Sequence, residues 1–237
     1  MKRRSLPLLI FVNCVVLCIV FMISVLGSRA VTVYRENTIV PRVTTVVIDP
    51  GHGGIDGGAV SCTGILESKL NLDVALRLRD LLNFLGIKTL LIRDTDKSVY
   101  TEGNTIGQKK VSDLKNRANI ANNTPNAVLV SIHQNYFSDS RYSGAQVFYK
   151  NDPDSKALAE RLQSHFVSTI NPGSKRMAKK ADGVYLFDRI NCTGVLVECG
   201  FLSNYEEEQK LCDPKYQKTI CCVLASVFSK YLSDASA

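Results

Sequence analysis

The sequence predicts an α/β domain: a three-layer, open, mostly parallel sheet with helices on both faces, preceded by one N-terminal transmembrane or signal segment. Three observations carry that prediction. Short, unbroken β-branched runs alternate with amphipathic helical stretches, the order that builds a parallel sheet covered on both sides. The 237 residues are 45% hydrophobic and 22% charged, enough for one buried core plus an appendage and too apolar for global disorder. Glycine (15) and proline (7) stand at ordinary counts and no self-similar period is present, which excludes collagen-like and solenoid architectures.

In chain order, the first segment is an address. Lys2, Arg3 and Arg4 precede an apolar run from Leu6 to Gly27. As a helix this run reaches about 33 Å, enough for a hydrocarbon core of about 30 Å. The basic flank stays cytoplasmic under the positive-inside rule, which sends everything after Arg29 outside the membrane. Residues 1–30 therefore read as a signal anchor or, because Ser28 and Ala30 are small residues at −3 and −1, as a signal peptide cleaved after Ala30. Residues 31–43 read as a tether, 44–232 as the main folded domain and 233–237 as a tail. Of the 29 Lys and Arg, Lys2, Arg3, Arg4 and Arg29 fall in the acid-free first 30 residues, and the rest face 22 Asp and Glu. The folded part is only mildly basic, so no nucleic-acid partner is expected.

Thr44 to Ile48 is a β-branched run that stops at Asp49-Pro50-Gly51, as a doubly buried strand should. Glu67 to Leu85 carries Leu70, Val74, Leu78, Leu81, Leu82 and Leu85 at helical spacing and ends before Gly86. Ile87 to Ile92 reads as a second strand, Leu114 to Asn122 as a helix stopped before Pro125, and Ala127 to Ile132 as a third strand. Ala145 to Tyr149 is another strand, Asp154 to Ile170 a helix with Asp154 near its N-cap, Gly194 to Val197 a strand, and Tyr216 to Leu232 the closing helix. Of the 8 cysteines, six lie beyond the apolar run without a CxxC pair, so most read as buried small hydrophobes.

Ligands of such folds collect at the carboxyl ends of the strands, which makes the few histidines informative. His52 follows the first strand inside Asp49-Pro50-Gly51-His52-Gly53-Gly54, and His133 follows the third inside Ser131-Ile132-His133-Gln134-Asn135. Glu67 opens the first long helix, and Glu198 comes directly after Gly194-Val195-Leu196-Val197. Two imidazoles and two carboxylates can therefore converge on one sheet edge. Catalytic zinc takes three protein ligands and keeps an open fourth position, and two His with one Glu is a known set. Hydrolysis adds a carboxylate that moves a proton. Singly, a strand-end His is more often structural, and a Glu at a helix start more often complements the helix dipole. A carboxylate at the end of a buried strand, however, must be paired, metal-linked or protonated, because desolvating it costs several kcal/mol. His165, among polar neighbours in mid-helix, reads as a solvated face residue.

The run Val46-Val47-Ile48-Asp49-Pro50-Gly51-His52-Gly53-Gly54, then Glu67, then Ser131-Ile132-His133-Gln134-Asn135, then Val197-Glu198-Cys199-Gly200-Phe201-Leu202-Ser203-Asn204, resembles the zinc-dependent N-acetylmuramoyl-L-alanine amidases of bacterial cell walls. The resemblance spans about residues 44 to 232. It implies His52, Glu67 and His133 as ligands of Zn2+ and Glu198 as catalytic acid/base. The implied reaction cleaves the amide between the lactyl group of muramic acid and the L-alanine of the stem peptide, with peptidoglycan as the partner outside the cytoplasmic membrane. Arg117 and Asn119, in Leu114-Lys115-Asn116-Arg117-Ala118-Asn119, match a recurrent helix read as structural. A single catalytic domain behind an N-terminal segment, with Ser143-Gly144-Ala145-Gln146-Val147-Phe148-Tyr149 after the second His motif, is most similar to the spore-cortex amidases of endospore formers.

Gln134 and Tyr136 stand where small residues are commoner in the family, which predicts a narrower groove floor, and Arg141 with Lys175, Arg176, Lys179 and Lys180 are candidate contacts for peptide carboxylates. Ligands drawn from a loop, a helix start and a strand end can hold zinc weakly until substrate or a protein activator orders them. Two rival readings are a zinc peptidase cutting within the stem peptide and a non-catalytic wall-binding or assembly protein.

Overall fold

The computed structural model describes residues 11, 14–25 and 44–234. The chain divides into two units, Met1–Pro41 and Arg42–Ala237. In the first, residues 14–25 are helical and exposed. Among the described residues no helix is long and apolar enough to cross a membrane. The rest of the 1–30 address and the whole 31–43 tether lie outside the described residues, as do 235–237 of the tail.

The second unit is built on a six-stranded sheet. Its strands are β1 (Thr45–Pro50), β2 (Thr89–Leu91), β3 (Ala127–Asn135), β4 (Gln146–Tyr149), β5 (Lys179–Lys180) and β6 (Thr193–Phe201). They lie in the order β2-β1-β3-β6-β4-β5, and every pairing is parallel except β4 with β6. The helices are α1 (Glu67–Phe84), α2 (Ile106–Asn122), α3 (Pro153–Thr169), α4 (Tyr205–Cys212) and α5 (Pro214–Asp234).

Strand alternation sorts the side chains into two cores. Val46, Ile48, Val130, Ile132, Val195 and Val197 pack with Leu70, Val74 and Leu78 of α1, Leu158 and Leu162 of α3, and Leu224 and Phe228 of α5. On the other face Val47, Leu129 and Leu196 meet Ala118 and Ala121 of α2 and the turn carrying Leu186, Phe187 and Ile190. Each large side chain buried this completely contributes about 1.5–3 kcal/mol.

Several elements differ from the expected ones, for local reasons. β3 and β6 continue to Asn135 and Phe201, so His133 and Glu198 sit inside the strands rather than after them. α2 begins at Ile106, two turns early, because Thr105 and Gln108 form a reciprocal capping box. The cap of α3 is Asp152, whose side chain accepts from Ser155 N–H, and not Asp154. α4 is capped by Asn204, which accepts from Glu207 N–H. The cysteines are all free: Cys199 and Cys221 are buried, Cys192 and Cys212 partly so, and Cys62 and Cys222 are exposed. Burial as small hydrophobes thus applies fully to only two of the six.

Candidate metal centre

The buried strand β1 delivers Asp49 and Pro50 to the carboxyl edge, where the chain must reverse. It does so through His52 (φ 61°), Gly53 (φ 127°) and Gly54 (φ 58°), so His52 itself holds a left-handed conformation that side chains rarely adopt. Gly51 lies against the second imidazole: a Cβ there would come within 2.2 Å of His133 Nε2. Gly51→Ala is therefore expected to fold but to displace the His133 ring and impair metal uptake. A variant with parental zinc content and affinity by chelator competition would contradict this.

Glu67 opens α1, and its carboxylate lies between the two imidazoles. His133 Nδ1 is 2.9 Å from Glu67 Oε1, and His52 Nε2 is 3.2 Å from Glu67 Oε2. The rings stand edge to face with centroids 5.0 Å apart. One ligand atom from each of His52, Glu67 and His133 lies within 4.8 Å of the others, so this cluster can hold a metal ion. Ala59 N–H donates to Glu67 Oε2, and Gln134 N–H and the Asn71 amide donate to Oε1. Burial works against the Glu67 anion, but hydrogen bonds and charge from His133 and His52 hold it well below the usual carboxylate range. His52 is likewise disfavoured as a cation by burial, yet Glu67 and Asp56 outweigh this and raise it. Asp56 Oδ2 sits 3.0 Å from His52 Nδ1, which fixes the ring and leaves Nε2 facing Glu67.

Glu198 is the direct register partner of His133 across the β3–β6 pairing, so both side chains leave the same face of the sheet. Its Oε2 is buried without a hydrogen-bond partner in the structure. Burial pushes its pKa up to about 7; Glu67 adds to the rise, while His133 and His52 oppose it. A carboxyl balanced in this way near neutrality can accept and return a proton.

Beneath the site, Arg117 is buried and donates to Asp49 Oδ1 at 2.5 Å, to Asp113 Oδ2 at 2.5 Å, and to the carbonyls of Pro50 and His52. It is structural, as expected, but its target is the His52 loop; Asn119 is exposed. Gln134 is buried and bonds Asn71, while Tyr136 is exposed. Arg141 pairs with Asp139 and stays exposed, and Arg176 lies over the Phe201 ring and bonds Ser143 O. Lys179 and Lys180 form the short edge strand β5. Sequence reasoning missed Asp56, Asn71 and Arg93. Asp56 and Asn71 each lie four residues beyond a candidate ligand, which is the one local signal that marks them.

Two imidazoles and a carboxylate at the carboxyl edge of an α/β sheet, with a second, unpaired carboxylate beside them, make the constellation of a metal-dependent hydrolase. Comparison with known proteins names the group. The chain belongs to the Amidase_3 family of N-acetylmuramoyl-L-alanine amidases, whose profile matches residues 46–226. It is 33% identical over 195 residues to the germination-specific N-acetylmuramoyl-L-alanine amidase of Bacillus subtilis, an alignment covering 80% of each chain. Among solved structures it is similar to the CwlD amidase from Clostridioides difficile in complex with the GerS lipoprotein, with 39% identity, a TM-score of 0.77, and coverage of 81% of this chain and 99% of that one. It is also similar to an N-acetylmuramoyl-L-alanine amidase from Clostridium difficile 630, with 32% identity, a TM-score of 0.70, and coverage of 81% and 98%.

Proposed function

We propose that this chain is a zinc-dependent peptidoglycan amidase that hydrolyses the bond between the muramic acid lactyl group and the L-alanine of the stem peptide, in maturation of the spore cortex. The observation that carries this is the His52, Glu67 and His133 cluster with Glu198 beside it, in a chain of the amidase family. The relative named as germination-specific supports the spore assignment, and the relative whose structure is a complex with a lipoprotein supports a protein partner as activator. In this reading 44–232 is the catalytic domain, working outside the cytoplasmic membrane, and residues 1–30 deliver or anchor it there.

The donor set fits zinc: two imidazole nitrogens and a carboxylate oxygen, with the outer nitrogen of His52 already committed to Asp56. Bound there, zinc supplies a Lewis acid that polarises a carbonyl oxygen and makes water more acidic. The proton traffic belongs to Glu198. Its carboxylate accepts a proton from the attacking water and delivers it to the departing amide nitrogen, so lactyl carboxylate and free alanine amine result. Asp56 and the donors around Glu67 keep the three ligand atoms in place meanwhile.

Mass spectrometry of digested wall fragments tests the reaction. An intact stem peptide with N-terminal alanine is the expected product. A new terminus within the peptide would instead establish a zinc peptidase, and no release a wall-binding protein. Zinc content per chain, near one in the parent and lost in Glu67→Ala, tests the metal separately.

A further inference from the structure

The side chain that most directly ties the separate parts of the centre together is one the proposed chemistry does not use. Arg93 follows β2, is 1% exposed, and directs all four of its hydrogen bonds to backbone carbonyls. Nε donates to Pro50 O at 2.9 Å and Nη1 to Thr95 O at 3.1 Å. Nη2 donates both to Gly51 O at 2.9 Å and to Ser68 O at 2.8 Å. Those last two carbonyls belong to the residue before His52 and the residue after Glu67. One nitrogen atom thus joins the neighbours of two candidate ligands that lie on different elements, β1's exit loop and the first turn of α1. Arg117 also reaches the carbonyls of Pro50 and His52, but its charge is paired with the carboxylates of Asp49 and Asp113, and no bond of its own reaches α1.

We infer that Arg93 is a positioning residue of the metal centre, setting the separation of His52 and Glu67 by clamping the backbone on either side of them. A buried guanidinium satisfied by carbonyls alone is an expensive way to fill space, and an apolar side chain would serve a core better. Its planar fork, however, reaches several acceptors in fixed directions, which no other side chain does. The fit is close: a Cβ on Gly53 would come within 2.8 Å of Arg93 Nε, so the glycine lets the loop settle onto the fork. Asn71 reinforces the clamp, because its amide donates to both Gly51 O and Glu67 Oε1.

The inference rests on the metal reading above, and zinc affinity separates the two. Full-length parent, Arg93→Lys, Arg93→Gln and the remote core variant Leu82→Ala are titrated with zinc against a chelator, and their melting temperatures are recorded. The expected result is a dissociation constant about 10–100-fold weaker in both Arg93 variants, the scale for outer-shell partners of a metal site, with Leu82→Ala destabilised but binding zinc like the parent. Should Arg93→Gln fail to fold, Arg93→Lys, which keeps the charge and loses the fork, decides alone. Parental affinity in Arg93→Lys overturns the inference, as does equal weakening in Leu82→Ala, which would reduce Arg93 to general stability. A parent that takes up no zinc even at saturating metal concentration overturns the metal reading itself and this inference with it.

Discussion

Glu198→Ala is expected to lower turnover at least about 10²-fold, the scale for removing a general acid/base, while zinc content stays at the parental level. The separation of effects follows from geometry. Glu198 leaves β6 opposite His133 but is not among the three residues whose ligand atoms cluster, so removing it leaves the donor set whole. An active Glu198→Ala protein would remove the role assigned here, and a zinc-free one would make Glu198 a ligand. The isosteric Glu198→Gln adds a stability signature. In the metal-free protein burial raises this carboxyl to about 7, above an unfolded value of about 4.3. Between those values the folded state binds a proton that the unfolded state has lost, so the parent's stability falls as pH rises. Removing the charge should therefore raise the melting temperature at pH 8, with the gain fading towards pH 4. A pH-independent difference would show that burial of the anion is not what the substitution relieves.

The second large effect is on stability. Arg117→Met is expected to cost about 3–5 kcal/mol at pH 7, the penalty for stripping one partner from a buried ion pair, read from urea unfolding. Asp49 and Arg117 are 1% and 2% exposed, and Asp49 also accepts from Ser131 Oγ at 2.7 Å. Burial alone would raise Asp49, but Arg117, Ser131 and His133 together hold it below its ordinary value. Its contribution is therefore complete above the unfolded value of about 3.9 and is lost as pH falls through the lower folded one. Without Arg117 the buried carboxyl is better off protonated, so the gap between parent and variant should narrow in acid. A loss under about 1 kcal/mol, or a gap constant with pH, would count against the pair.

Much of this was legible in the chain itself, because the sheet is buried on both faces. Val46-Val47-Ile48 and Val195-Leu196-Val197 carry no polar interruption, and such runs permit little else than central strands. His52, Glu67, His133 and Glu198 stood out because each is a chemically capable side chain next to such a run or at the start of a helix. Strand ends were less legible. β3 and β6 run on through His133 and Glu198, since at a functional edge the last strand residues are polar and resemble the loop that follows. The glycines at 103 and 107 masked the start of α2, although Thr105 and Gln108 spelled its cap. Arg93 was invisible for a different reason. Next to Asp94, Thr95 and Asp96 it reads as a surface turn, and only the tertiary fold shows its guanidinium reaching Gly51 and Ser68.

The order of the elements along the chain has a consequence for biogenesis. The prospective ligands come from the exit of β1, the start of α1 and β3, all complete by residue 135, whereas Glu198 arrives on β6, which must slot in beside β3 afterwards. A chain that enters the space beyond the membrane from its N-terminal side therefore presents the three proposed ligands ahead of Glu198, the group proposed to move protons. On that reading the proposed centre is complete only once β6, the last strand in the chain, has paired beside β3.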